Sequence, residues 1–124
     1  MMNYHEIKVG EKTLKLRVRM RDHAELDKSC GGAFLAALTD EDTMGGKPWE
    51  LLGSLLHVAL RPFEAEHGKY TRAQVDDLMD EMVDEGWTIE DAAGCLMKTA
   101  AVSGFFPREA AAAILTDKIT ENPA

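Results

Sequence analysis

Strict alternation of apolar and charged side chains occurs in one stretch of this chain, residues 4–20, and it limits the fold more than any other feature. Ile7 and Val9 alternate with Glu6 and Lys8, and Leu14, Leu16, Val18 and Met20 alternate with Lys15, Arg17 and Arg19. A period of two places all the apolar residues on one face of a strand. Gly10-Glu11-Lys12 separates the two runs and supplies a turn. The segment predicts a β-hairpin with one buried face and an outer face of lysine and arginine, charges that also blunt an exposed sheet edge. A two-stranded hairpin is marginal alone in water. Its apolar face must be covered by the rest of the chain or by another subunit.

Beyond Arg21 the apolar spacing becomes helical. Arg21 to Cys30 predicts a helix with Ala24, Leu26 and Cys30 apolar, stopped by Gly31-Gly32. Ala33 to Leu38 predicts a short apolar helix, and residues 39–47, polar with two glycines, read as a loop. Pro48, tolerated in a first turn, opens a helix carrying Leu51, Leu52, Leu55, Leu56, Ala59 and Leu60; Pro62 ends it, and residues 64–69 read as a loop. Thr71 and Gln74 have the spacing of a capping box. After them Val75, Leu78, Met79, Met82 and Val83 fall at i, i+3, i+4, i+7 and i+8, so all five are expected in the core, with Gly86 closing the helix. Thr88 and Asp91 repeat the capping spacing for a helix bearing Ile89, Ala92, Ala93, Leu96, Met97, Ala100 and Ala101. Phe105-Phe106-Pro107 forms an apolar elbow after Ser103-Gly104, and Arg108 to Ile119 predicts a final alanine-rich helix.

The predicted class is α+β, mostly α: an N-terminal β-hairpin followed by a compact bundle of four to five helices. A length of 124 residues fits a single domain over 1–124. Within it residues 4–20 are the hairpin, 21–106 the helical core and 107–120 the alanine-rich helix, while 121–124 are expected to fray.

Net charge is -8, which disfavours generic binding to nucleic acid or to an anionic membrane surface. No apolar run approaches the roughly 20 residues that cross a bilayer. Met1 to Gly10 has no apolar h-region, so the cytoplasm is the expected location. Cys30 and Cys95 stand outside any Cys-x-x-Cys or Cys/His cluster and are expected to be free, buried apolar residues. The charge is unevenly spread. Lys8, Lys12, Lys15, Arg17, Arg19 and Arg21 mark the N-terminal arm; Asp76, Asp77, Asp80, Glu81, Asp84, Glu85, Glu90 and Asp91 follow with no base among them. Two such poles permit head-to-tail self-association, and they serve equally well as two solvated faces.

Residue types that carry catalysis do not cluster. His5, His23, His57 and His67 lie outside metal-ligand spacing, and no phosphate-binding loop, Gly-x-Ser-x-Gly elbow or His-Glu-x-x-His is present. Asp40, Asp42 and Gly45 begin like a calcium loop, but Met44 and Leu51 stand where its fifth and twelfth positions need oxygen ligands. No catalytic, metal or cofactor residue is assigned, and no cofactor is expected. The candidates that remain suit protein contact. Met82 and Met97 have flexible, polarisable side chains. Phe105 and Phe106 offer aromatic anchors. Ala112, within the run Ala110 to Ala113, lets a second helix approach closely. Core filling accounts for the methionines and phenylalanines as well, and both readings stand at this point.

Several stretches in order resemble the small tail assembly chaperones of long-tailed bacteriophages and related prophages. They are Thr13 to Arg19, Leu26 to Gly32 leading into Phe34 to Leu38, the leucine-rich Leu51 to Leu60, the acidic Val75 to Gly86 preceding Thr88, and Ser103-Gly104-Phe105-Phe106. The likeness spans roughly residues 5–106 and lies in the order and spacing of these elements. It implies a non-enzymatic protein in the bacterial host cytoplasm that holds a long, helical, aggregation-prone tape measure protein while the tail tube assembles. It also implies that a translational frameshift extends some copies in many phages. The family brings no catalytic residues. The alternative reading is a small acidic regulatory or DNA-mimic protein that binds a host or phage protein.

Overall fold

The computed structural model describes residues 3–116, which form one antiparallel hairpin followed by helices, the mostly α member of the α+β class that the sequence predicts. The ends of the predicted last helix (117–119) and the tail 121–124 lie outside the described residues. Strand β1 (His5–Val9) pairs with β2 (Lys12–Leu16) in a register that sets Ile7 opposite Leu14. Ile7, Val9, Leu14 and Leu16 are all buried. The predicted alternation continues past β2, but the strand does not. Val18 is buried, whereas Met20 opens a single 3-10 turn and is 80% exposed.

The helices are α1 (His23–Ser29), α2 (Phe34–Thr39), α3 (Glu41–Gly46), α4 (Pro48–Ala59), α5 (Glu64–His67), α6 (Arg72–Asp84), α7 (Ile89–Val102) and α8 (Arg108–Leu115). Two of them, α3 and α5, occupy segments that composition reads as loops. In α3 the carboxylate of Asp40 accepts from the Asp42 amide at 3.1 Å, and Glu41 and Asp42 supply the negative charge that a helix start favours. Local capping makes a short helix there despite two glycines.

Both predicted capping boxes form. Thr71 Oγ1 accepts from the Gln74 amide while the Gln74 side chain accepts from the Thr71 amide, and Thr88 and Asp91 do the same for α7. The two helices also end alike. Gly86 and Gly104 take φ of 101° and 85°. The next amide, of Trp87 or Phe105, then reaches back to the carbonyl of Met82 or Ala100 at 3.0 and 3.1 Å. This termination requires a left-handed residue, and it turns the apolar side chain after the glycine toward the core. Trp87 is buried accordingly.

Helix α7 is the centre of the molecule. It packs on α4, on β1 and under α8, and Ala92, Gly94, Cys95, Leu96, Lys98, Thr99, Ala100 and Ala101 are all buried. Ile89, in its first turn, is 51% exposed although its spacing places it with the core residues. The hairpin docks on this centre through backbone groups as well as side chains. The Arg17 amide donates to the Ala59 carbonyl at the end of α4, at 3.0 Å, and the Val18 amide to Ser103 Oγ at the end of α7, at 2.9 Å. These bonds anchor a sheet too small to stand alone.

Candidate partner-binding surface

The five residues that the sequence offers for partner binding fall in three different environments. Met82 is fully buried, in the stripe Val75, Leu78 and Met82 by which α6 packs on α4. That corrects its assignment: as folded, it presents no atom to a partner. Phe105 is half-buried. Its ring stacks on His23 with centroids 4.3 Å apart and meets Phe34 edge-on at 5.2 Å. Phe106 is half-buried beside it, also against the core. The elbow is thus a plug seated by the helix termination at Gly104, with part of each ring still accessible. Met97 is half-buried on α7, and Ala112 is exposed on α8, the helix that lies along α7. The structure therefore brings Met97 and Ala112 onto adjoining helices and removes Met82 from the surface.

Helix α8 has an unusual surface. Ala110 to Leu115 are six consecutive apolar residues, enough to wrap more than a full turn. Ala111 and Ile114, three apart, are half-buried; Ala110, Ala112, Ala113 and Leu115 are exposed, and no residue of the helix is fully buried. Eight residues are too few for a helix that stands by propensity. Contact with α7 along the narrow Ala111–Ile114 edge holds it.

A second apolar surface was placed wrongly by periodicity. Val83 is 52% exposed and Met79 half-buried, although both were expected in the core. At 3.6 residues per turn Val83 lies roughly 100° round from the middle of the Val75–Leu78–Met82 stripe, beyond the reach of α4. Asp76, Met79, Asp80 and Val83 follow one another at i, i+3, i+4 and i+7 and make an outer stripe of their own. With Trp49, in the first turn of α4, they line a groove of about 280 Å³. Gly53 sits one turn after Trp49, and a Cβ there would stand 2.6 Å from Arg72 Nη2 and 2.9 Å from Met79 Cε. The missing side chain lets α6 lay Arg72 and Met79 across α4.

Charge is distributed by the fold in a way that the sequence does not reveal. Lys12 Nζ meets Glu81 Oε1 at 2.6 Å, so the basic arm and the acidic helix, whose charges permit association between copies, already touch within one chain. Lys15 pairs with Glu66 at 2.8 Å, and Arg19 with the buried Asp22 at 2.8 Å. Arg61 holds Glu25 through two bonds of 2.8 and 2.5 Å; this guanidinium lowers the Glu25 carboxyl below its usual range. On α6, Asp76 is shared only with Arg72, at 3.6 Å, and among the described residues Asp80 and Asp84 have no ion-pair partner.

The remaining titratable groups fit structural roles. Burial lowers the His57 imidazole from its ordinary value. Burial pushes the Cys95 thiol up to about 12 and raises that of Cys30, and both cysteines are free. Among the described residues no three His, Cys, Asp or Glu side chains come close enough together to hold a metal ion, and no helix is long and apolar enough to cross a membrane. No protein-family model, curated protein or solved structure matches this chain.

Proposed function

We propose that this chain is a non-enzymatic assembly chaperone of a long-tailed phage or prophage, which holds a helical segment of a tape measure protein in the host cytoplasm. The observation that carries the reading is α8. A helical segment that is apolar all round, as Ala110 to Leu115 is, is built to be buried, yet α8 buries none of its residues fully and rests on α7. A client helix lying beside it covers Ala110, Ala112, Ala113 and Leu115 and completes the bundle. Small residues there permit close approach, and the half-buried Met97 and Phe106 supply adaptable and aromatic contacts on the neighbouring surface. The excess of acidic residues keeps such a host soluble while apolar surface is offered. Several copies along one long client add avidity without tight single contacts.

The test co-expresses the chain with a tape measure protein, the long helical client that this reading requires. Soluble client and its capture on the tagged chain are measured for the parent and for Ala112→Arg. Arginine is a good helix former, and position 112 is exposed, so this variant keeps its own melting temperature. The expected result is loss of soluble, captured client. A client equally soluble without the chain refutes the reading.

A further inference from the structure

We propose that the groove between α4 and α6 docks a cationic amphipathic helix of another protein, independently of the α8 surface. Its floor is apolar, made by Trp49, Met79 and Val83, and its rim carries Asp76 and Asp80. A cavity of about 150 Å³ accepts a benzene-sized group, so about 280 Å³ admits one large apolar side chain with room for the backbone that bears it. The lining comes mainly from one stripe of α6, so the groove runs along a helix axis and matches ligands whose apolar residues recur at three and four.

Charge decides which apolar helix fits. Among the described residues Asp80, and Asp84 one turn beyond it outside the groove, have no counter-ion, and Asp76 has only the long contact to Arg72. A ligand with Lys or Arg flanking its apolar anchor neutralises them, whereas an acidic ligand adds repulsion. A second copy of this chain is the poorer occupant. No described helix of this chain carries more than one Lys or Arg, with Lys28 alone on α1, Arg72 on α6, Lys98 on α7 and Arg108 on α8, and in the N-terminal arm Lys12, Lys15 and Arg19 are engaged by Glu81, Glu66 and Asp22. No described element thus offers an apolar helix flanked by several cations, which makes a different protein the better occupant.

Three labelled helical peptides of equal length test this by fluorescence anisotropy against the full chain: leucine with lysine flanks, leucine with glutamate flanks, and serine with lysine flanks. Saturable binding of the first, at least about tenfold tighter than either of the others, is expected. The double variant Asp80→Lys with Val83→Lys should weaken it by about tenfold or more. Because Val83 is 52% exposed, that variant should melt like the parent. Asp80→Asn, which keeps the shape, should lower affinity and flatten its dependence on salt. Equal binding of the serine–lysine peptide overturns the proposal by reducing the effect to bulk charge. Undiminished binding to both variants overturns it by placing the peptide elsewhere. A dimer of the parent that Val83→Lys dissolves overturns it in favour of a second copy. None of these readouts involves the tape measure protein, so the groove and the chaperone reading fail separately.

Discussion

Replacing Ser103 by alanine should cost the fold more than the loss of one exposed hydroxyl would suggest. Ser103 is 5% exposed, and its Oγ accepts from the Val18 amide at 2.9 Å while donating to the Thr99 carbonyl at 2.6 Å. The Thr99 carbonyl keeps another donor in the variant, the Ser103 amide at 3.1 Å. The Val18 amide keeps none, and Val18 is only 1% exposed. An unsatisfied buried donor costs about 1–3 kcal/mol. For 124 residues, an unfolding entropy of roughly 2.1 cal/mol/K per residue turns that into a fall of about 4–12 °C in melting temperature. Thermal melts followed by circular dichroism measure the fall. Hydrogen exchange locates it: the amides of Val18 and of β2 should lose protection, because that bond ties the hairpin to α7. A variant that melts within about 1 °C of the parent, with the Val18 amide still protected, refutes the docking scheme.

Leu78 and Val83 share a periodic pattern but not an environment, at 3% and 52% exposed, so Leu78→Asp should destabilise by about 4 kcal/mol or more and Val83→Asp by less than about 1 kcal/mol in urea titrations. Equal effects contradict the placement of the outer stripe. The folded Glu25 carboxyl titrates below its unfolded value of 4.5, so its pairing with Arg61 stabilises fully above that pH and is lost as pH falls through the lower, folded value. Melting temperatures of parent and Glu25→Gln should therefore differ at pH 7 and converge in acid; a gap that is constant with pH contradicts this. Thiol titration of the native protein should find Cys95 unreactive until unfolding and Cys30 slower than a free thiol, since burial raises both. Two fast thiols in the folded protein contradict that burial.

The local signals in this chain are strong enough to be read without tertiary contacts. Alternation over residues 4–20 specifies a hairpin because a pleated strand can bury only every second side chain. Thr71/Gln74 and Thr88/Asp91 start their helices because each pair satisfies two amides that the helix itself leaves unbonded. Gly86 and Gly104 end them because a left-handed turn is needed there, and the aromatic residue that follows each glycine is part of the same device. That device also explains Phe105: a ring directly after the terminating glycine is turned inward, a cue that the bare sequence Gly104-Phe105 already contains.

Tertiary structure decided what periodicity could not. A helical pattern says that five residues of α6 share a broad face, but the width of α4 determines how much of it is covered. Covering is complete at Val75, Leu78 and Met82, partial at Met79 and least at Val83, and the last two line a groove. The same limit moved Met82 from candidate contact to core. Pairing of charges was equally hidden, since Lys12, at the start of β2, and Glu81 are 69 residues apart and meet only because the hairpin packs on α6 through β1. Sequence alone specified the hairpin and the longer helices, because hydrogen bonding and capping are settled within a few residues, while the short α3 and α5 read as loops. It could not specify which apolar residues stay outside, because burial depends on what the rest of the chain brings against them.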